Sequence, residues 1–264
     1  MGKMVAQKGR FFTPAEQRVL SALPSFGRID IETACKAFSE AGLSISKSYL
    51  SEILSRLAKK KALLRIEKGV FFAGITQPNA HYAIGLALCP RVGAYVAFAS
   101  ALYFYHFIDE MPFVVSIANR SKSKRAVLNN TEYELIAIGE KCAGAVEKDG
   151  VLVSSKAKTI FDCFLHPEHC GGFNKVLGAF KTAAGEFSES DWKELVFWIE
   201  EFASAALEQR IGFASRKTAP SFFVKRLLSQ ARKSKTISLF HPYERKGVFD
   251  SQWKVIAEER GVMA

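Results

Sequence analysis

Chemistry in this chain has few places to come from. The densest cluster of reactive side chains is Cys163-x2-His166-x2-His169-Cys170, four metal-capable groups within eight residues. Thiolate and imidazole suit the tetrahedral shell of zinc. However, Pro167 breaks the backbone inside the cluster, the spacing matches no common structural zinc pattern, and Cys163 falls on the apolar side of a helical run. Structural cysteines and histidines, with no metal and no cofactor, are therefore expected. Glu147 and Asp149 offer carboxylates for a nuclease metal, but the neighbouring acid-x-Lys on a strand is missing. No GxGxxG, P-loop, GxSxG or HExxH pattern occurs, so the expectation is a protein that binds rather than an enzyme.

The second constellation is basic. Ser46, Lys47, Ser48, Tyr49 and Ser51 are followed by Arg56, Lys59, Lys60 and Lys61, then by Arg65 and Lys68. Hydroxyls and an aromatic ring at the leading end of a helix can reach base edges. The flanking cations can neutralise phosphates. These eleven residues are the candidate DNA-binding set, and the element carrying the first seven must be a helix. Leu50, Ile53, Leu54 and Leu57 recur at helical spacing, leaving the polar residues on the opposite face.

Two further helix starts precede it. Thr13-Pro14-Ala15-Glu16 combines an N-cap, a proline at the first helical position and a capping box, and Asp30 opens a second run that Gly42 stops. After Lys61 come two β-prone runs, ALLRIE and VFFAG, joined by Glu67-Lys68-Gly69. Three helices and a hairpin within residues 1–77 predict a winged helix-turn-helix, with duplex DNA as the partner. The competing reading is a protein-interaction module that holds a partner and touches DNA only incidentally.

Gln77-Pro78-Asn79 reads as the boundary of a second domain, 78–264, of mixed α+β character. Val92 to Ile108 carries no Asp, Glu, Lys or Arg over 17 residues. That length is at the lower limit for a membrane span, and Ser100, three tyrosines and His106 interrupt it, so a buried helix is expected and no membrane. Strands are expected at Pro112–Ala118, in YELIAIG, and on either side of Lys148-Asp149-Gly150. Helices follow from Ser155 to the break at His166-Pro167, from Gly172 to Ala184, as one long helix in DWKELVFWIEEFASAALEQRIG, and in PSFFVKRLLSQARKSK.

Charge agrees with this division. The chain has 264 residues, 37 Lys and Arg against 26 Asp and Glu, and a net charge of +11. Residues 1–77 hold 13 basic and 6 acidic side chains, and Arg216 to Lys246 hold nine basic and one acidic. Everything else is net acidic, so the charge lies in two islands; the first coincides with the candidate helix, and the second is open to three readings: a further phosphate-contacting surface, a face for an acidic protein partner, or a solvated basic helix. The five cysteines are odd in number and scattered, as reduced thiols in a cytoplasmic protein are, and the first residues have no apolar leader.

In order along the chain, these features resemble the AbiEi family of antitoxin-like transcriptional regulators, the antitoxin half of type IV toxin-antitoxin pairs. The resemblance rests on LSRLAKKKALLRIEKGVFF (54–72), the run Tyr95 to Leu102 followed by an aromatic pair and Pro112, VLVSSKAKTIFDCFLHPEHCGG (151–172) and the closing EQRIG. Where the family has Glu-Arg-Thr, this chain reads Ala157-Lys158-Thr159. The resemblance implies a repressor that binds inverted repeats in its own promoter through the winged helix. It also implies a C-terminal domain that counteracts a nucleotidyltransferase-like toxin.

Overall fold

The structure is a computed structural model, and it describes residues 11–89, 93–241 and 247–257. Among these residues the fold is mixed α+β, with ten α-helices and three sheets. It divides into two compact units. The first takes the described chain up to residue 89 together with Leu128–Asn130, and the second takes the remainder.

In the first unit, α1 (Pro14–Ala22) begins where the sequence predicts. The Thr13 hydroxyl accepts a bond from the Glu16 amide, and the Glu16 carboxylate accepts one from the Thr13 amide at 2.8 Å. After β1 (Gly27–Ile29), the Asp30 carboxylate caps α2 (Ile31–Glu40) by accepting from the Thr33 amide at 2.9 Å. A turn with Gly42 at φ 70° leads to α3 (Lys47–Lys59). β2 (Leu64–Glu67) and β3 (Val70–Ala73) form an antiparallel hairpin whose turn places Gly69 at φ 76°, a conformation glycine adopts without steric cost. The sheet order is β1-β3-β2. Val19, Phe38, Leu50, Leu54, Leu57 and Phe71 are core residues of this unit. The expected boundary at residue 77 falls just before α4 (Ala80–Ala87), which packs on β1 and belongs with the first unit.

The second unit is built on a six-stranded sheet of order β6-β7-β5-β4-β9-β8. Its strands are β4 (Tyr95–Val96), β5 (Val114–Asn119), β6 (Lys124–Leu128, of which the last residue falls in the first unit), β7 (Thr131–Ala137), β8 (Ala145–Lys148) and β9 (Val151–Ser154). The uncharged stretch 92–108 is not one helix. It supplies β4, fully buried and hydrogen-bonded between β5 and β9, then the seven-residue α5 (Phe98–Phe104). A strand covered on both faces gives the same continuous apolar signal as a buried helix. The hairpin of β8 and β9 turns at Asp149 (φ 50°) and Gly150 (φ 72°), where the sequence places it. The basic run Arg120–Arg125 enters β6 at Lys124.

α6 (Lys156–Leu165), capped by Ser155, is the central helix, buried from Ala157 to Phe164 and packed by α5, α7 (Phe173–Glu186) and α8 (Glu189–Phe202). A short 3-10 turn, Pro167–Cys170, separates α6 from α7. The single long helix expected after residue 190 is two helices. Ala203 is extended, and the Ser204 hydroxyl accepts from the Leu207 amide at 3.3 Å to start α9 (Ala205–Ser215). Serine favours such a cap over a helix interior. α10 (Ser221–Lys233) follows, then a small sheet of order β10-β12-β11: β10 (Ser238–Leu239), β11 (Val248–Asp250) and β12 (Val255–Ala257). No helix among the described residues is long and apolar enough to cross a membrane.

Candidate nucleic-acid interface

α3 is the element on which the candidate site depends, and its two faces are cleanly separated. Leu50, Ile53, Leu54 and Leu57 are each no more than 1% exposed, and burying four such side chains stabilises the unit by roughly 1.5–3 kcal/mol each. That anchorage turns the remaining positions outward. Ser46 caps the helix by accepting from the Tyr49 amide at 3.4 Å. Ser46, Lys47, Ser48, Tyr49 and Ser51 are all exposed at this leading end, where the helix dipole favours an anion. Arg56 and Lys59 continue the exposed face. The Arg56 guanidinium lies 5.7 Å from the centre of the Tyr49 ring, two turns away, which lays the arginine along the helix surface. Glu52 is the one acid on this helix, and it is exposed too.

The three consecutive lysines after the helix do not share one environment. Lys59 and Lys61 are exposed, and Lys61 has φ 57°, outside the helix. Lys60 turns inward: its ammonium bonds Glu16 Oε2 at 2.6 Å and the Phe11 carbonyl at 3.0 Å. The Lys60 ammonium and the Thr13 amide hold the Glu16 carboxyl below its ordinary range. Lys60 therefore joins α3 to α1, while its neighbours face solvent. Arg65 on β2 and Lys68 in the hairpin turn are both exposed, and Arg65 Nε donates to the Glu67 carbonyl at 3.4 Å. Of the eleven candidate residues, ten are surface groups on α3, its two ends and the β2–β3 hairpin; Lys60 is part of the scaffold.

No family model and no curated protein sequence matches this chain. Its fold is similar to that of a solved structure described as the crystal structure of the RV2827C protein from Mycobacterium tuberculosis. The two share 16% sequence identity with a TM-score of 0.66, over 95% of this chain and 93% of that one. At this identity the likeness is one of fold.

The other sequence candidates, Cys163, His166, His169 and Cys170, remain neighbours but are engaged in other contacts. Cys163 and Cys170 are buried free thiols, and burial pushes the Cys163 thiol well above its ordinary value. His166 Nδ1 sits 3.1 Å from Glu168, and His169 Nδ1 sits 3.2 Å from Glu134. Each imidazole thus has a carboxylate partner of its own, and no group of three metal ligands occurs among the described residues. All five cysteines are free.

The second basic segment, Arg216 to Lys246, is only partly a charged surface. α10 buries Phe223, Leu227 and Ala231 and exposes Lys225, Arg226, Arg232 and Lys233. Arg226 is ion-paired with Glu200. Arg216 stacks on the Phe213 ring at 3.7 Å, and partial burial lowers its pKa. Arg245 and Lys246 lie outside the described residues.

Proposed function

We propose that this protein is a sequence-specific DNA-binding transcriptional regulator of the AbiEi antitoxin type, whose first unit is a winged helix-turn-helix. The observation that carries this reading is the division of α3. A four-residue apolar stripe holds the helix on its unit, while Lys47, Arg56 and Lys59 are exposed along it beside Ser48, Tyr49 and Ser51. In this reading α3 enters the major groove with its N-terminal residues at the base edges, and Arg65 and Lys68 of the hairpin contact the backbone. A solvated basic helix needs no such order of hydroxyl and aromatic groups first and cations flanking them.

The promoter inverted repeats and the nucleotidyltransferase-like toxin enter from the family resemblance of residues 54–72, 95–112 and 151–172. On this reading the first unit represses the protein's own promoter, and the second counteracts the toxin. The test is titration of the protein with the duplex upstream of its own gene and with a scrambled duplex of the same length. Tighter binding of the promoter duplex is expected. Equal affinity for the two overturns the regulator in favour of a protein-interaction module.

A further inference from the structure

The second unit contains a cavity of about 320 Å³ between α5, the Ile108–Phe113 loop, strands β5, β6 and β7, and the 3-10 turn after α6. This volume is in the range of small-molecule sites. One wall is apolar. Met111 and Phe113 stand at the loop 54% and 92% exposed, with Pro112 between them, so hydrophobic area remains in water for a ligand to cover.

The polar side has an asymmetry that defines the ligand. Each lining carboxylate is already bonded: Glu134 accepts from Arg125 Nη2 at 2.8 Å and lies 3.2 Å from His169, Glu110 accepts from Lys175 at 2.8 Å, and Glu168 pairs with His166. Donor capacity is left over. Lys175 makes one bond to a side chain and has two further N–H groups, and the Ser116 hydroxyl, on a residue only 3% exposed, has no hydrogen-bond partner among the described residues. That hydroxyl lines the cavity and can donate to an acceptor placed there. A cationic ligand would have to displace Arg125, Lys175 or His169 from their carboxylates. An anionic one would enter a lining with three carboxylates against two permanent cations. An uncharged acceptor meets neither obstacle.

We propose that this cavity is a binding site for a small, uncharged, carbonyl-bearing aromatic molecule. Its carbonyl oxygen accepts from Ser116, and its ring lies against Met111 and Phe113. The site lies within the second unit and does not depend on DNA recognition by the first.

Naphthamide, naphthoate and naphthylmethylamine share one shape and differ in charge, so titrating each into the full chain tests the assignment. Saturable binding of naphthamide is expected, with the acid and the amine at least about fivefold weaker. Ser116→Ala should weaken naphthamide by about fivefold, the worth of one hydrogen bond. Phe113→Ala, at an exposed position where folding is not at stake, should weaken it too. Absence of naphthamide binding, tighter binding of either charged analogue, or unchanged affinity in both variants would overturn the proposal.

Discussion

Lys158 and Asp162, one turn apart on α6, form an ion pair in which neither side chain reaches solvent. The phenol of Tyr95 closes the network, lying 3.1 Å from the Lys158 ammonium and donating to Asp162 at 3.1 Å. The Trp198 ring lies 5.2 Å from the same ammonium. Burial pushes the Asp162 carboxyl upward, and the lysine and tyrosine oppose it. Lys158→Met removes the cation and leaves a carboxylate in an apolar core, so it should destabilise the chain by about 3–5 kcal/mol. Adding Asp162→Leu should recover most of that loss. Denaturant unfolding of the single and double variants measures both, and a double variant no more stable than the single one would contradict the account.

Glu16 and Lys60 form a second, more accessible pair. The folded-state carboxyl of Glu16 is depressed below its ordinary 4.5, so its contribution is present above that value and is lost as pH falls through the depressed one. Acid titration of the melting temperature should therefore show a decline below pH 4.5 that Glu16→Gln flattens. Lys60→Ala should lower stability at neutral pH and leave promoter affinity close to wild type.

For the exposed face of α3, the expected outcome concerns salt as well as affinity. With about six phosphate contacts, the log-log salt slope of duplex binding should be near −5. Replacing both Lys47 and Arg56 with Ala should weaken binding, and the slope should fall by about two if both contact phosphate. Fluorescence anisotropy across a salt series distinguishes this from a folding defect. Unaltered affinity and slope in the double variant would remove α3 from the interface.

Gly144 lies at φ 79°, and a methyl group there would meet Trp198 Cζ2 at 2.5 Å. Gly144→Ala combines backbone strain with a collision against a buried ring. It should cost about 2 kcal/mol or more, and thermal unfolding measures the loss. Gly150→Ala, also at positive φ but with open space around it, should cost less.

Local signals carried much of this architecture. Thr13, Asp30, Ser46 and Ser155 start helices where the sequence predicts, because each bonds an amide three residues on and needs no distant partner. The Lys148-Asp149-Gly150 turn and the apolar stripe of α3 were legible for the same reason, as was the exposed face that the stripe implies. Where the chain must choose between locally equivalent states, the sequence was silent. Tyr95–Val96 reads as buried helix until β5 and β9 supply its hydrogen bonds from distant segments. Lys59, Lys60 and Lys61 are interchangeable as text, and only an acid 44 residues before Lys60 draws that one inward. Arg216 counts as surface charge until the Phe213 ring covers it. Residue type and spacing set what each short segment can do alone; long-range contacts decide which side chains are already satisfied, and so which remain for a partner.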